Sequence, residues 1–156
     1  MGTAAPILAF ALARRMDSFG NYIDYLYDTN QEQGEQLLSR VEYTGKTALA
    51  NQAGGDSEPF AALRFNYEDL PASQQRSGWQ AGMPVRASHR LISVDSLAKL
   101  STNEVIRQYR LNYDVGLSLS GERVLTSLRE CSGTDGTAVC YPPTTFGWTR
   151  GSLRVD

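Results

Sequence analysis

The sequence predicts a mainly β protein: an antiparallel sheet of successive hairpins, sandwich- or shell-like, with little or no helix. Three observations carry that expectation. Apolar and polar residues alternate with a period of two in several segments. Eight of the fifteen aromatic residues are Tyr, a good strand former. Clusters of Gly, Asn, Asp and Pro punctuate the segments, as turns between strands require.

Taken in order, Phe10, Leu12 and Met16 mark a first strand, Ala9–Asp17. The turn Asp17-Ser-Phe-Gly-Asn21 leads it into a second, Asn21–Asp28, with Ile23, Tyr25 and Tyr27 on one face and Asp24 and Asp28 on the other. A polar loop from Asn30 to Gln36 precedes the strand Leu37–Thr44, and Gly45 to Pro59 reads as a longer loop around Gly54-Gly55-Asp56. Leu63, Phe65 and Tyr67 then oppose Arg64, Asn66 and Glu68. Leu70 to Pro84 carries two Pro, two Gly and Trp79, so an ordered loop is expected there rather than strand. Arg86–Leu97 is a strand. Ser93–Leu100 is the only helix candidate, and the alternation running into it favours strand. Lys99 to Asn103 turns the chain back. Val105, Tyr109, Leu111 and Tyr113 then oppose Gln108, Arg110, Asn112 and Asp114, and Arg123–Cys131 leads into a last hairpin ended by Pro142-Pro143. Four strands end in Tyr and a polar residue, at Tyr27-Asp28, Tyr43-Thr44, Tyr67-Glu68 and Tyr113-Asp114. A tyrosine there buries its ring and keeps its hydroxyl at the wet edge.

The 156 residues suffice for one domain, which at this size buries roughly two-thirds of its unfolded surface. Residues 5–150 are read as a single β-rich module, with 1–4 and 151–156 as terminal extensions. Hydrophobic residues at 41% and charged residues at 21% are those of a soluble globular chain. A net charge of -2 removes the electrostatic case for nucleic acid. The apolar run Ala5–Ala13 is shorter than the about 20 residues a bilayer-spanning helix takes. No basic region precedes it, so neither a signal peptide nor membrane insertion by this segment is expected.

Cys131 and Cys140 flank Asp135-Gly136, the favoured pair for a two-residue type I′ turn. Counting outward from that turn sets Cys131 opposite Cys140 at a non-hydrogen-bonded pair, where side chains lie closest. A cross-strand disulfide is expected in an oxidising compartment, with two reduced core thiols as the alternative. No catalytic, cofactor or metal site is expected. Gly116-Leu-Ser-Leu-Ser120 lacks the last glycine and the strand–turn–helix context of a nucleophile elbow. His89 is the single histidine and reads as a packing or hydrogen-bonding residue. Asp24 and Asp28, on one strand, lie roughly 13 Å apart, too far for paired glycosidase carboxylates. Trp79, Tyr22 and Trp148 are the candidate aromatics for contact with a ligand or a neighbouring module.

An ordered set of short motifs carries a family resemblance. Met16-Asp-Ser-Phe-Gly-Asn-Tyr-Ile-Asp-Tyr-Leu-Tyr-Asp28 comes first. Leu38-Ser-Arg-Val-Glu-Tyr-Thr-Gly45 and Leu63-Arg-Phe-Asn-Tyr-Glu68 follow, then Arg90-Leu-Ile-Ser-Val94 with Val105-Ile-Arg-Gln-Tyr-Arg-Leu-Asn-Tyr-Asp114. Ser127-Leu-Arg-Glu-Cys131 and Cys140-Tyr-Pro-Pro-Thr-Thr-Phe-Gly-Trp148 close the set. From Phe10 to Trp148 this order resembles SpvB-like proteins, the B components of bacterial insecticidal toxin complexes, related to Rhs/YD-repeat toxins. Asp69-Leu-Pro71 departs from the family's pattern. The resemblance implies a segment of a much larger toxin, ahead of an FG-GAP propeller. It implies a non-catalytic structural module of the shell that houses or presents a toxic cargo, with the other modules of that toxin as partners. It implies secretion with the toxin, from the cytoplasm. The alternative is a β-sheet module that binds a carbohydrate or receptor.

Overall fold

The turns signalled in the sequence set the strand order. Gly20, at φ 84°, closes the first hairpin, and the Asp17 carboxylate accepts the Phe19 and Asn21 amides at 2.8 and 2.9 Å. A computed structural model describes residues 10–30, 34–49, 54–80, 82–114, 123–133 and 138–149. Within them lie β1 (Arg14–Met16), β2 (Asn21–Asn30), β3 (Glu35–Lys46), β4 (Ala61–Asp69), β5 (Arg76–Gln80), β6 (Met83–Ala87), β7 (His89–Ala98), β8 (Glu104–Asp114), β9 (Val124–Ser132), β10 (Val139–Cys140) and β11 (Thr144–Thr145). The one helical element among them is a 3-10 turn, Ala72–Gln74.

Nine strands form one antiparallel sheet in the order β1-β2-β3-β4-β7-β8-β9-β10, with β11 also on β9. The fold is thus the antiparallel sheet of consecutive strands that the alternation predicts, in single-panel form. The segment Leu70–Pro84 departs from its expected loop: it holds the 3-10 turn, β5 and the start of β6, and β5 and β6 form a separate hairpin across Gly82 at φ 80°. Gly78, Pro84 and the polar neighbours gave that hairpin no alternation. Pro84 is tolerated because a two-stranded ribbon is all edge. The first strand is also shorter than Ala9–Asp17, and β2 and β3 extend into the polar loop expected between Asn30 and Gln36. Ser93–Leu100 begins as strand, in β7, and passes into the turn at Lys99.

Register assigns the two faces, since directly opposed residues share one. Val41 faces Leu63, Phe65 faces Val94, Val94 faces Tyr109 and Leu111 faces Leu128. This apolar face is half-buried throughout. On the other face Arg40, Arg64, Asp95, Gln108 and Cys131 form a row across five strands. Among the described residues only Tyr22, Ala61, Ala62, Leu97 and Cys131 are buried apolar side chains, a thin core for so much sheet. Val105 leaves the face it was expected to share with Tyr109. An extra residue, Ile106, interrupts β8 and sets Val105 opposite Leu97.

The tyrosine repeat has a structural counterpart. The odd-numbered strands β3, β7 and β9 each carry an extra residue, Ser39, Ile92 or Thr126, directly after a leucine. Those leucines, Leu38, Leu91 and Leu125, face Tyr27, Tyr67 and Tyr113. Each tyrosine hydroxyl reaches the other way: Tyr27 donates to the Leu12 carbonyl at 3.2 Å, Tyr67 to Leu38 at 2.9 Å and Tyr113 to Leu91 at 2.8 Å. The Trp148 indole N–H completes the series on the Leu125 carbonyl at 2.6 Å. A bulge disrupts the backbone ladder locally, and at Leu38, Leu91 and Leu125 an aromatic donor serves the carbonyl beside it. Burial pushes the Tyr67 and Tyr113 phenols up, so both remain donors. Tyr43, expected in the repeat, lies outside this ladder. It faces Ala61, and the next residue, Thr44, turns left-handed at φ 78°.

Candidate functional site

The end of the sheet beyond this ladder gathers the polar side chains. After β4 the chain turns through Leu70 and the 3-10 turn. The Leu70 amide donates to the Ser88 carbonyl at 2.7 Å, and the Gln75 side chain donates to the Leu70 carbonyl at 2.8 Å. These bonds hold Ser73 and Gln74 over the starts of β7 and β9. Between them opens a cleft of about 520 Å³, lined by Gln74, Arg76, His89, Arg90 and Arg123 among others.

Glu35, at the start of β3, fastens this end. Its carboxylate accepts the Ser88 amide at 2.9 Å and the Ser88 hydroxyl at 2.5 Å, and lies 2.8 Å from His89 Nδ1. Asp69 lies 3.0 Å from His89 Nε2. Burial pushes the Glu35 carboxyl up, but the bonds from Ser88 and His89 outweigh it and hold the group below its usual range. The cluster contains serine, histidine and carboxylates, yet not in the arrangement of a nucleophilic triad. Both the Ser88 hydroxyl and Glu35 meet Nδ1, and Asp69 occupies the Nε2 side where a triad's serine stands. Its geometry is that of a clip joining the β2–β3 end to the β6–β7 corner. His89 therefore has hydrogen-bonding partners on both ring nitrogens.

The aromatic candidates are not brought together. Trp79 projects from β5, 77% exposed. Trp148 is 53% exposed and its N–H is committed to Leu125. Tyr22 is a packed ring, 6% exposed. It lies on Gly45, where a Cβ would fall 2.3 Å from the ring, and the Arg14 guanidinium covers it at 3.9 Å. Cys131 and Cys140 face each other in the β9–β10 register and are joined by a disulfide, with Cα atoms 4.0 Å apart. The turn between them and Gly116-Leu-Ser-Leu-Ser120 lie outside the described residues. Asp24 is paired with Arg14 through two bonds of 2.6 and 2.8 Å, and Asp28 stands four residues along β2. No group of three or more potential metal-binding side chains occurs among the described residues. No described helix is long and apolar enough to cross a membrane.

Sequence reasoning missed Gln74, Arg90 and Arg123. Arg90 and Arg123 looked like the polar beginnings of strands, and Gln74 like loop. Only the register of β7 and β9, with the turn folded over them, brings the three to one cleft.

No family model matches the chain, and no curated protein sequence matches it. Among solved structures, the N-terminal domain of effector protein SpvB from Salmonella typhimurium strain LT2 superposes with a TM-score of 0.59 at 15% identity. The match covers 78% of this chain and 50% of that one. The likeness is one of fold, and the chain spans about half the length of that domain.

Proposed function

We propose that this chain is a non-catalytic structural module of a secreted bacterial toxin of the SpvB-like kind, one panel of the shell that houses or presents a toxic cargo. The observation that carries the reading is that, among the described residues, no second sheet or helix layer packs over the apolar face. Both of its edges also end in exposed apolar side chains. Phe10, Leu12, Met16 and Phe19 stand at the β1 edge, with Phe10 90% exposed. Val139, Tyr141, Phe146 and Trp148 stand at the β10–β11 edge. Surfaces of this kind are covered in a stable assembly, because an open strand edge and a contiguous apolar patch both invite association.

The fold likeness to the SpvB N-terminal domain supports the same reading. The partners would be other modules of the same toxin chain or complex, among them the propeller and Rhs-type shell that the motif resemblance implies. Light scattering over a concentration series tests the proposal. The isolated chain is expected to self-associate as concentration rises. A strictly monomeric species at high concentration would count against it.

A further inference from the structure

Three polar side-chain atoms among the described residues are buried without a hydrogen-bond partner: Gln74 Oε1, Arg90 Nη1 and Arg123 Nε. All three belong to residues lining the one cleft between the 3-10 turn, β7 and the start of β9. An unserved buried polar atom is costly, and native folds keep few of them, so three around a single cleft require an account.

Their chemistry is complementary. Arg90 gives Nε and Nη2 to the Glu68 carboxylate and stacks over the Tyr113 ring at 4.6 Å, which fixes its plane and leaves Nη1 uncommitted. Arg123 adds a second uncommitted guanidinium donor, and Arg76 a third cation in the lining. Guanidinium donors select an oxyanion. Gln74 Oε1, by contrast, is an acceptor and calls for a hydroxyl or amine donor. The carboxylates at this corner are already engaged, Glu68 by Arg90 and both Glu35 and Asp69 by His89. The cleft volume of about 520 Å³ lies within the usual range of small-molecule sites.

We propose that this cleft binds an acidic sugar: Arg90 and Arg123 hold its carboxylate or phosphate, and Gln74 accepts one of its hydroxyls. Gln74, Arg90 and Arg123 all line the cleft that such a ligand would fill. The site is independent of the panel function and lies apart from the aromatics singled out in the sequence. A shell module bearing it would present one specific contact to a glycan or to a phosphorylated sugar.

The test is an NMR or calorimetric titration of the folded chain with glucuronic acid, glucose 6-phosphate and neutral glucose, repeated on Arg123→Met. Saturable binding of at least one acidic sugar is expected, with glucose silent and affinity about tenfold weaker in R123M. The preferred acid then distinguishes a carboxylate source from a phosphate source. Binding of neither acid, equal binding of glucose, or unchanged affinity in R123M would overturn the assignment. A circular dichroism spectrum of R123M matching the parent shows that any loss is local.

Discussion

Asp95 and Arg123 belong to clusters of the same ingredients, guanidinium, amide and carboxylate, which the fold completes in opposite ways. Asp95 is 1% exposed on β7, and strands on both sides supply its donors. Arg64 gives two bonds at 2.7 and 3.2 Å, Asn66 one at 2.9 Å and Gln108 one at 2.9 Å. Arg110 then anchors Gln108 at 2.5 Å, and Ser93 receives Asn66 at 3.0 Å. Every member comes from a position that register places side by side. At the cleft the arginines come from strand starts and Gln74 from a turn, and polar atoms are left over. A network closed by its own sheet is part of the fold. One left open at the sheet's end is available to something else.

The largest expected effect comes from breaking the closed cluster. Burial pushes the Asp95 carboxyl up, but the bonds from Arg64, Gln108 and Asn66 more than offset this and hold it below its usual range. Because the folded value is lowered, the unfolded chain binds more protons. The contribution of Asp95 is therefore complete above the unfolded value of about 3.9 and is lost as pH falls through the lower folded value. Asp95→Asn should cost about 3 kcal/mol at pH 7, since it leaves the Arg64 charge unbalanced and turns one of the two acceptor oxygens into an amide nitrogen that faces donors. It should also flatten the acid limb, though Glu35, lowered in the same direction, keeps part of it. Urea unfolding of parent and variant between pH 7 and pH 3 reads both quantities. Parallel acid limbs would remove Asp95 from the account.

A smaller effect separates ladder tyrosines from ordinary ones. Tyr67→Phe removes a hydroxyl that serves the Leu38 carbonyl and should cost about 1 kcal/mol. Tyr43→Phe touches no such bond and should stay within about 0.5 kcal/mol of the parent. Equal losses in the two variants, by equilibrium unfolding, would reduce the ladder to general packing.

These regions differ in how much of them was legible in the sequence. Alternation placed Arg64 and Asn66 together opposite Phe65, and Gln108 and Arg110 together opposite Tyr109. Four of the six residues of the Asp95 network were therefore visible as two polar faces. The pairing of Arg64 with Asp95 was not, because register depends on where the extra residues fall. Ile106 alone moved Val105 to the other face. Three of the four ladder aromatics carried a local signature, a strand-end Tyr before a polar residue. Tyr43 shared that signature without the role, and Trp148 had the role without the signature. The Cys131–Cys140 facing could be counted from a two-residue turn, since a hairpin is local. The β5–β6 hairpin left no trace, as Gly78 and Pro84 erase the alternation that marks strands. The cleft was least visible, because positions 74, 90 and 123 are joined only by folding. The solved SpvB N-terminal domain shares the fold over 78% of this chain.

The most direct test of the contrast between closed and open clusters is the unfolding free energy of Arg123→Met. Methionine keeps the stem of the side chain and deletes the charge and the unserved Nε. If the cleft is an open site and not part of the fold's own network, R123M should match the parent or exceed it by up to about 1 kcal/mol, as one buried unsatisfied donor is removed. A loss near the roughly 3 kcal/mol expected for Asp95→Asn would contradict the account and make Arg123 a structural residue like Arg64.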